Sequence, residues 1–124
     1  AQRIAHLAAS SNSKIKVCLQ VKLRPDPNKY GWSTEALLQD LPQLDQLENL
    51  HVQGLMAIPP YGLPAAENRA IFDDARRLAA KIQHYSPSHI TMDHLSIGMS
   101  DDYEVAIEAG ATMVRLGRAI FGER

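Results

Sequence analysis

From Lys14 to Leu23 apolar and polar residues alternate strictly. Ile15, Val17, Leu19, Val21 and Leu23 fall on one face; Lys16, Cys18, Gln20 and Lys22 fall on the other. A period of two predicts a β-strand. Pro25, Pro27, Asn28 and Gly31 then rule out helix or strand interior from Arg24 to Trp32, which reads as a loop. The period changes at Thr34: Leu37, Leu38, Leu41, Leu44 and Leu47 recur at helical spacing, with Ser33 or Thr34 as cap. Pro42 is expected to start a new turn or to bend that helix. Residues 52 to 58, VQGLMAI, form an apolar run short enough for a buried strand, stopped by Pro59 and Pro60. From Pro64 to His84 a stripe of Ala66, Ala70, Ile71, Ala75, Leu78, Ala79 and Ile82 predicts a second helix, ended by Pro87.

HLSIGM, residues 94 to 99, is a third strand, and SDDYEVAIEAG starts a helix directly after it. Asp101 and Glu104 have capping-box spacing there, and Gly110 stands where helices stop. TMVRLG, residues 112 to 117, is the fourth strand, followed by a short tail. The opening AQRIAHLAASSN reads as the last turns of an amphipathic helix. With neither an initiating methionine nor a capping signal there, the polypeptide is expected to begin further upstream.

Strands alternating with helices define parallel α/β architecture across a single segment, 1–124. In an open doubly wound sheet both faces lie under helices and central strands are apolar throughout. The lysine, cysteine and glutamine face of the first strand fits a barrel wall better, apolar outward under helices and polar inward near a site. About four β/α units make half of a (β/α)8 barrel, with two open parallel edges.

Composition narrows the function. At 45% hydrophobic, 22% charged and net charge −1, the chain has no basic stripe for nucleic acid. No apolar stretch approaches the roughly 20 residues that span a bilayer, so no membrane role is expected. Cys18 alone forms no internal disulfide, and a cytoplasmic location is the expectation. The five histidines have no zinc spacing, and GxSxG, P-loop and GxGxxG motifs are all missing.

In (β/α)-barrels the site lies at the C-terminal strand ends, often with a phosphate held by the last two loops. Ser96 and Ser100 place hydroxyls at such an end, and Gly117 lets backbone N–H groups approach an anion. Ser100 also reads as a plain turn residue and Gly117 as a strand terminator. Arg115, between Val114 and Leu116, needs a ligand or a structural salt bridge. Asp101 and Asp102 read as helix-start acids and would repel a phosphate there, which moves the grip toward Gly117 and Arg118.

KYG at Lys29 to Gly31, GLMAIP at Gly54 to Pro59, LSIGMSDD at Leu95 to Asp102 and AGATMVRLGRAIFGER at Ala109 to Arg124 together resemble the YggS/PROSC family. These are homeostasis proteins that bind pyridoxal 5'-phosphate (PLP). The family in turn resembles the barrel domain of alanine racemase, the N-terminal domain of that enzyme. The resemblance implies that the chain is the C-terminal half of a PLP-binding (β/α)8 barrel. Ser100, Gly117 and the backbone of Arg118 would hold the phosphate, with Ser96 adjacent, Arg115 facing the pyridine nitrogen and Met56 packing nearby. Lys22 and Lys29 would flank the cofactor, although each also reads as a solvated lysine.

The family's Schiff-base lysine, in an AVSK-like motif on the first barrel strand, has no counterpart among these residues. Nor does the racemase's catalytic tyrosine. The resemblance therefore implies PLP homeostasis without turnover in a protein monomeric when intact, with PLP-dependent apoenzymes or a regulatory protein as partners. The alternatives are a fold-type III PLP enzyme, racemase-like, and a PLP-linked regulatory interaction module.

Overall fold

A computed structural model describes residues 1–10, 14–85 and 87–122. Its elements are α1 (Gln2–Ser10), β1 (Ile15–Val21), α2 (Thr34–Asp45), β2 (Leu50–Ala57) and α3 (Ala65–His84). These are followed by β3 (Ile90–Met99), α4 (Tyr103–Glu108), β4 (Met113–Arg115) and α5 (Arg118–Phe121). The four strands form one parallel sheet in the order β1-β2-β3-β4.

Alternation along the strands decides which face the helices cover. Leu19 and Val21 of β1, Leu55 and Ala57 of β2, and Leu95 and Ile97 of β3 are buried in one cluster with Leu37, Leu41 and Leu44 of α2 and Phe72, Ala75 and Ile82 of α3. Their alternating neighbours therefore face the other way. Cys18 is in register with Gly54, and Gly54 with His94; one step along, Gln20 is in register with Met56, and Met56 with Ser96. A parallel sheet wound with its helices on one face and polar groups on the other is the wall of a (β/α)-barrel.

Gly54 fixes how closely β2 and β3 approach. A Cβ there would lie 1.8 Å from the His94 carbonyl oxygen, so only glycine allows this spacing. The loop after β1 folds back on the strand it leaves. The Trp32 N–H donates to the Gln20 carbonyl (3.0 Å) and the Lys22 N–H to the Trp32 carbonyl (2.7 Å), which covers the upper outer edge of β1. Gly31 makes that fold possible: its φ is 129°, and a Cβ would stand 2.9 Å from the Gln20 carbonyl oxygen.

Ser33 is the cap of α2, its hydroxyl accepting from the Ala36 N–H at 3.2 Å. The helix runs on through Pro42, which forfeits the bond its N–H would make to the Leu38 carbonyl and lies one turn from the helix end. β3 begins at Ile90 rather than His94, because a register slip between Val52 and Gly54 on β2 interrupts the alternation that would reveal it. The tail after β4 is not irregular: it forms α5. The expected capping box at Asp101 and Glu104 does not form. Asp102 is the cap residue of α4 without a side-chain capping bond; its carboxylate accepts from the Met99 N–H at 2.7 Å and closes the turn, while Asp101 pairs elsewhere. Among the described residues no helix is long and apolar enough to cross a membrane. Glu123 and Arg124, the end of the last motif, lie outside the described residues, as do Ser11 and Asn12.

Candidate functional site

The C-terminal ends of β3 and β4 converge. The Gly117 and Ala119 N–H groups both donate to Ser100 Oγ, each at 3.2 Å. A serine hydroxyl has two acceptor lone pairs and one proton. With both lone pairs taken by the amides, the Ser100 proton is left to donate outward. The Arg118 N–H opens α5, where no carbonyl of that helix can reach it. The Gly117 and Ala119 amides are thus gathered on Ser100, whose proton, with the Arg118 N–H, is left over within this cluster, a grouping of donors suited to a tetrahedral oxyanion. A Cβ built on Gly117 would meet nothing within 4 Å, so the space beside the cradle is open.

Arg115 reaches from β4 across the polar face of β3. Its Nη1 donates to the Ser96 carbonyl and to Ser96 Oγ, both at 2.8 Å, and its Nη2 to the Ala57 carbonyl of β2 at 3.2 Å. The expected alternative of a structural salt bridge is not what the geometry contains: among the described residues no carboxylate lies within 4.0 Å of it. Burial pulls the guanidinium down from its ordinary value, and Asp102 and Cys18 act against that pull. Among the described residues three of its five N–H donors are used, which leaves two. Cys18 lies in the same field: burial pushes its thiol up, and Arg115 pulls it back down. Met56, half-buried, is in register with Ser96 and belongs to this polar row.

Ser96, Ser100, Met56, Arg115, Gly117 and Arg118 are therefore brought to the β2, β3 and β4 end of the sheet. Lys22 and Lys29 are gathered separately, around Asp26 in the loop after β1. Lys22 Nζ donates to the Asp26 carbonyl at 3.4 Å, and Lys29 Nζ to its carboxylate at 3.2 Å. The Asn28 N–H holds the Asp26 carboxyl below the usual range; desolvation opposes this, and Lys29 and Lys22 reinforce it. Sequence reasoning missed the Ala57 carbonyl, a backbone group inside GLMAIP with no side-chain signal, and Asp26; Cys18 was placed on the inward face of β1 but given no role. It also missed the ion pair between the Arg118 guanidinium and Asp101, which joins residues far apart in the chain. Among the described residues no group of three or more His, Cys, Asp or Glu stands ready for a metal ion.

A parallel sheet with helices on one face, and with Ser96, Ser100, Arg115 and Gly117 gathered at its C-terminal end, defines a segment of the (β/α)-barrel class. The chain belongs to the family of alanine racemase N-terminal domains, matched over residues 1–124, and within it to the YggS/PROSC type. It is 45% identical over 124 residues to the pyridoxal phosphate homeostasis protein of Synechocystis sp., covering 100% of this chain and 56% of that protein. To the protein so named in Pseudomonas aeruginosa it is 39% identical, covering 100% of this chain and 51% of the other. PipY of Synechococcus elongatus, solved with PLP bound, is similar with a TM-score of 0.91 at 43% identity, over 98% of this chain and 55% of PipY. The chain spans about half the length of the curated relatives it matches.

Proposed function

We propose that this chain is the phosphate-holding, C-terminal half of a PLP-binding barrel whose role is to keep PLP bound and hand it on without turnover. The observation that carries the reading is the convergence of the Gly117 and Ala119 amides on Ser100, next to a guanidinium with two unused donors. The Ser100 hydroxyl and the N–H groups of Gly117 and Arg118 would hold the phosphate. Arg115, fixed by Ser96 and the Ala57 carbonyl, would present an N–H to the pyridine nitrogen. Met56 would pack against the ring, and Lys22 and Lys29 would line the approach from the β1 side.

Bound PLP supplies a reactive aldehyde and an electron-withdrawing ring. A guanidinium is always protonated and is a poor proton donor to the ring nitrogen, so it leaves that nitrogen unprotonated and the ring a weak electron sink. That arrangement favours holding over catalysis. On this reading the recipients would be PLP-dependent apoenzymes.

Titration of the chain with PLP and with pyridoxal, followed by absorbance, tests the reading. PLP is expected to bind at least tenfold more tightly; equal affinity for the two would sink it. In a cell, deletion of the intact protein that leaves vitamin B6 pools unchanged would remove the homeostasis role.

A further inference from the structure

The cradle is bordered by a negative charge that a phosphate ligand has to meet. Asp101 directly follows Ser100, and its carboxylate is paired with the guanidinium of Arg118, the residue directly after Gly117. Asp101 is not serving as a helix cap, since Asp102 holds that position and no side-chain capping bond forms. The Arg118 side chain is likewise taken up by Asp101, which leaves its N–H as the group it can offer a ligand. The two side chains thus meet each other across the mouth of the site, from the two turns whose backbone and hydroxyl groups form the grip.

We infer that Arg118 is a specificity-determining residue which acts through Asp101: it neutralises the carboxylate beside the cradle and so permits a dianionic phosphate monoester to enter. The inference rests on the PLP reading of the site and adds a reason for its charge selectivity. An unneutralised carboxylate one residue from Ser100 would repel a phosphate dianion, and the three cradle donors would have to work against it. Side-chain exposures of 48% for Arg118 and 58% for Asp101 set the scale, because water and salt screen such charges. The expected effect is therefore severalfold rather than thousandfold.

The test uses the full chain, with inorganic phosphate and PLP as probes, followed by the Gly117 and Ala119 amide resonances and by calorimetry at low salt. Arg118→Ala keeps the backbone N–H and a residue suited to α5, and is expected to weaken both probes by about three- to tenfold. Arg118→Lys, which preserves the charge, should stay within about twofold of the parent. The deciding variant is Arg118→Ala combined with Asp101→Asn. It has no ion pair either, so a purely structural strap would leave it as weak as the single variant, whereas removal of the repulsion should recover most of the loss. The loss in Arg118→Ala should also shrink as salt rises. Parent-like affinity of Arg118→Ala, or a double variant as weak as the single, overturns the inference while the PLP reading stands. A parent chain whose two amides respond to neither probe overturns both.

Discussion

Gly54→Ala is the substitution on which the geometry speaks most sharply. The new Cβ would fall 1.8 Å from the His94 carbonyl oxygen and 2.6 Å from its carbonyl carbon, where ordinary contact begins at 3.4 Å. Both neighbours are backbone atoms of the adjacent strand, so no side-chain rotation relieves the clash. The strands must part by roughly 1.5 Å, which carries ladder bonds of about 2.9 Å beyond bonding distance. Overpacking of about 1–3 kcal/mol plus the loss of two ladder bonds at about 1 kcal/mol each gives about 3–5 kcal/mol. That is a large share of the 5–15 kcal/mol typical of a whole domain. At about 4 °C per kcal/mol for a chain of this size, a thermal melt followed by circular dichroism should shift down by about 12–20 °C. The site should suffer too, because Ala57 and Ser96, the acceptors that hold Arg115, sit on the two strands being separated. A variant within about 1 kcal/mol of the parent, with an unshifted urea midpoint, would refute the close approach of β2 and β3.

Ser100→Ala removes the oxygen on which two amides converge and the proton offered to a phosphate, so calorimetry should show PLP binding at least about tenfold weaker; parent-like affinity would take Ser100 out of the cradle. Acid should destabilise the chain below about the ordinary aspartate value of 3.8. Asp26 is held low by the Asn28 N–H; in Asp74 burial acts upward, but the bonds from Arg77 and Arg24 outweigh it. Carboxyls lowered on folding give stability that is present above their unfolded value and lost as pH falls through the folded one. Urea midpoints of Asp26→Asn and Asp74→Asn should accordingly depend less on pH in that window than the parent's, and an equally steep acid limb would contradict the assignment. The Cys18 thiol, raised by burial, should be alkylated more slowly than free cysteine at neutral pH, and more slowly still in Arg115→Gln, which lacks the opposing charge. Faster alkylation of that variant would place Arg115 outside the reach of Cys18.

Much of this architecture was legible because its signals are local. The alternation from Lys14 to Leu23 named the two faces of β1, and the stripe from Ala66 to Ile82 found α3 with nearly correct bounds. What escaped was tertiary or too short to have a period. α5 has four residues and β4 three, less than any repeat needs. Asp101 looked like a capping residue because the spacing to Glu104 is right, yet a partner arriving from α5 outcompetes the local bond. For the site, Ser100 and Gly117 were visible as types suited to an anion, but their meeting is a property of two strand ends. Of the acceptors of Arg115 only the Ser96 hydroxyl is a side-chain group already singled out; the other two bonds go to backbone carbonyls that carry no sequence signature.

The Ser100 hydroxyl has a consequence for the energetics of loading and unloading. It satisfies the Gly117 and Ala119 amides, and together with the Asp101 and Arg118 pair it ties the two turns together. A ligand entering this site has no loop to order first, so little of its binding energy is consumed by immobilising the protein. A ligand leaving it strands neither the Gly117 nor the Ala119 N–H, because the serine oxygen is there to receive those groups again. Arrival and departure would thus become an exchange of like bonds. For the PLP-holding role proposed above, such reversibility would be worth more than tightness.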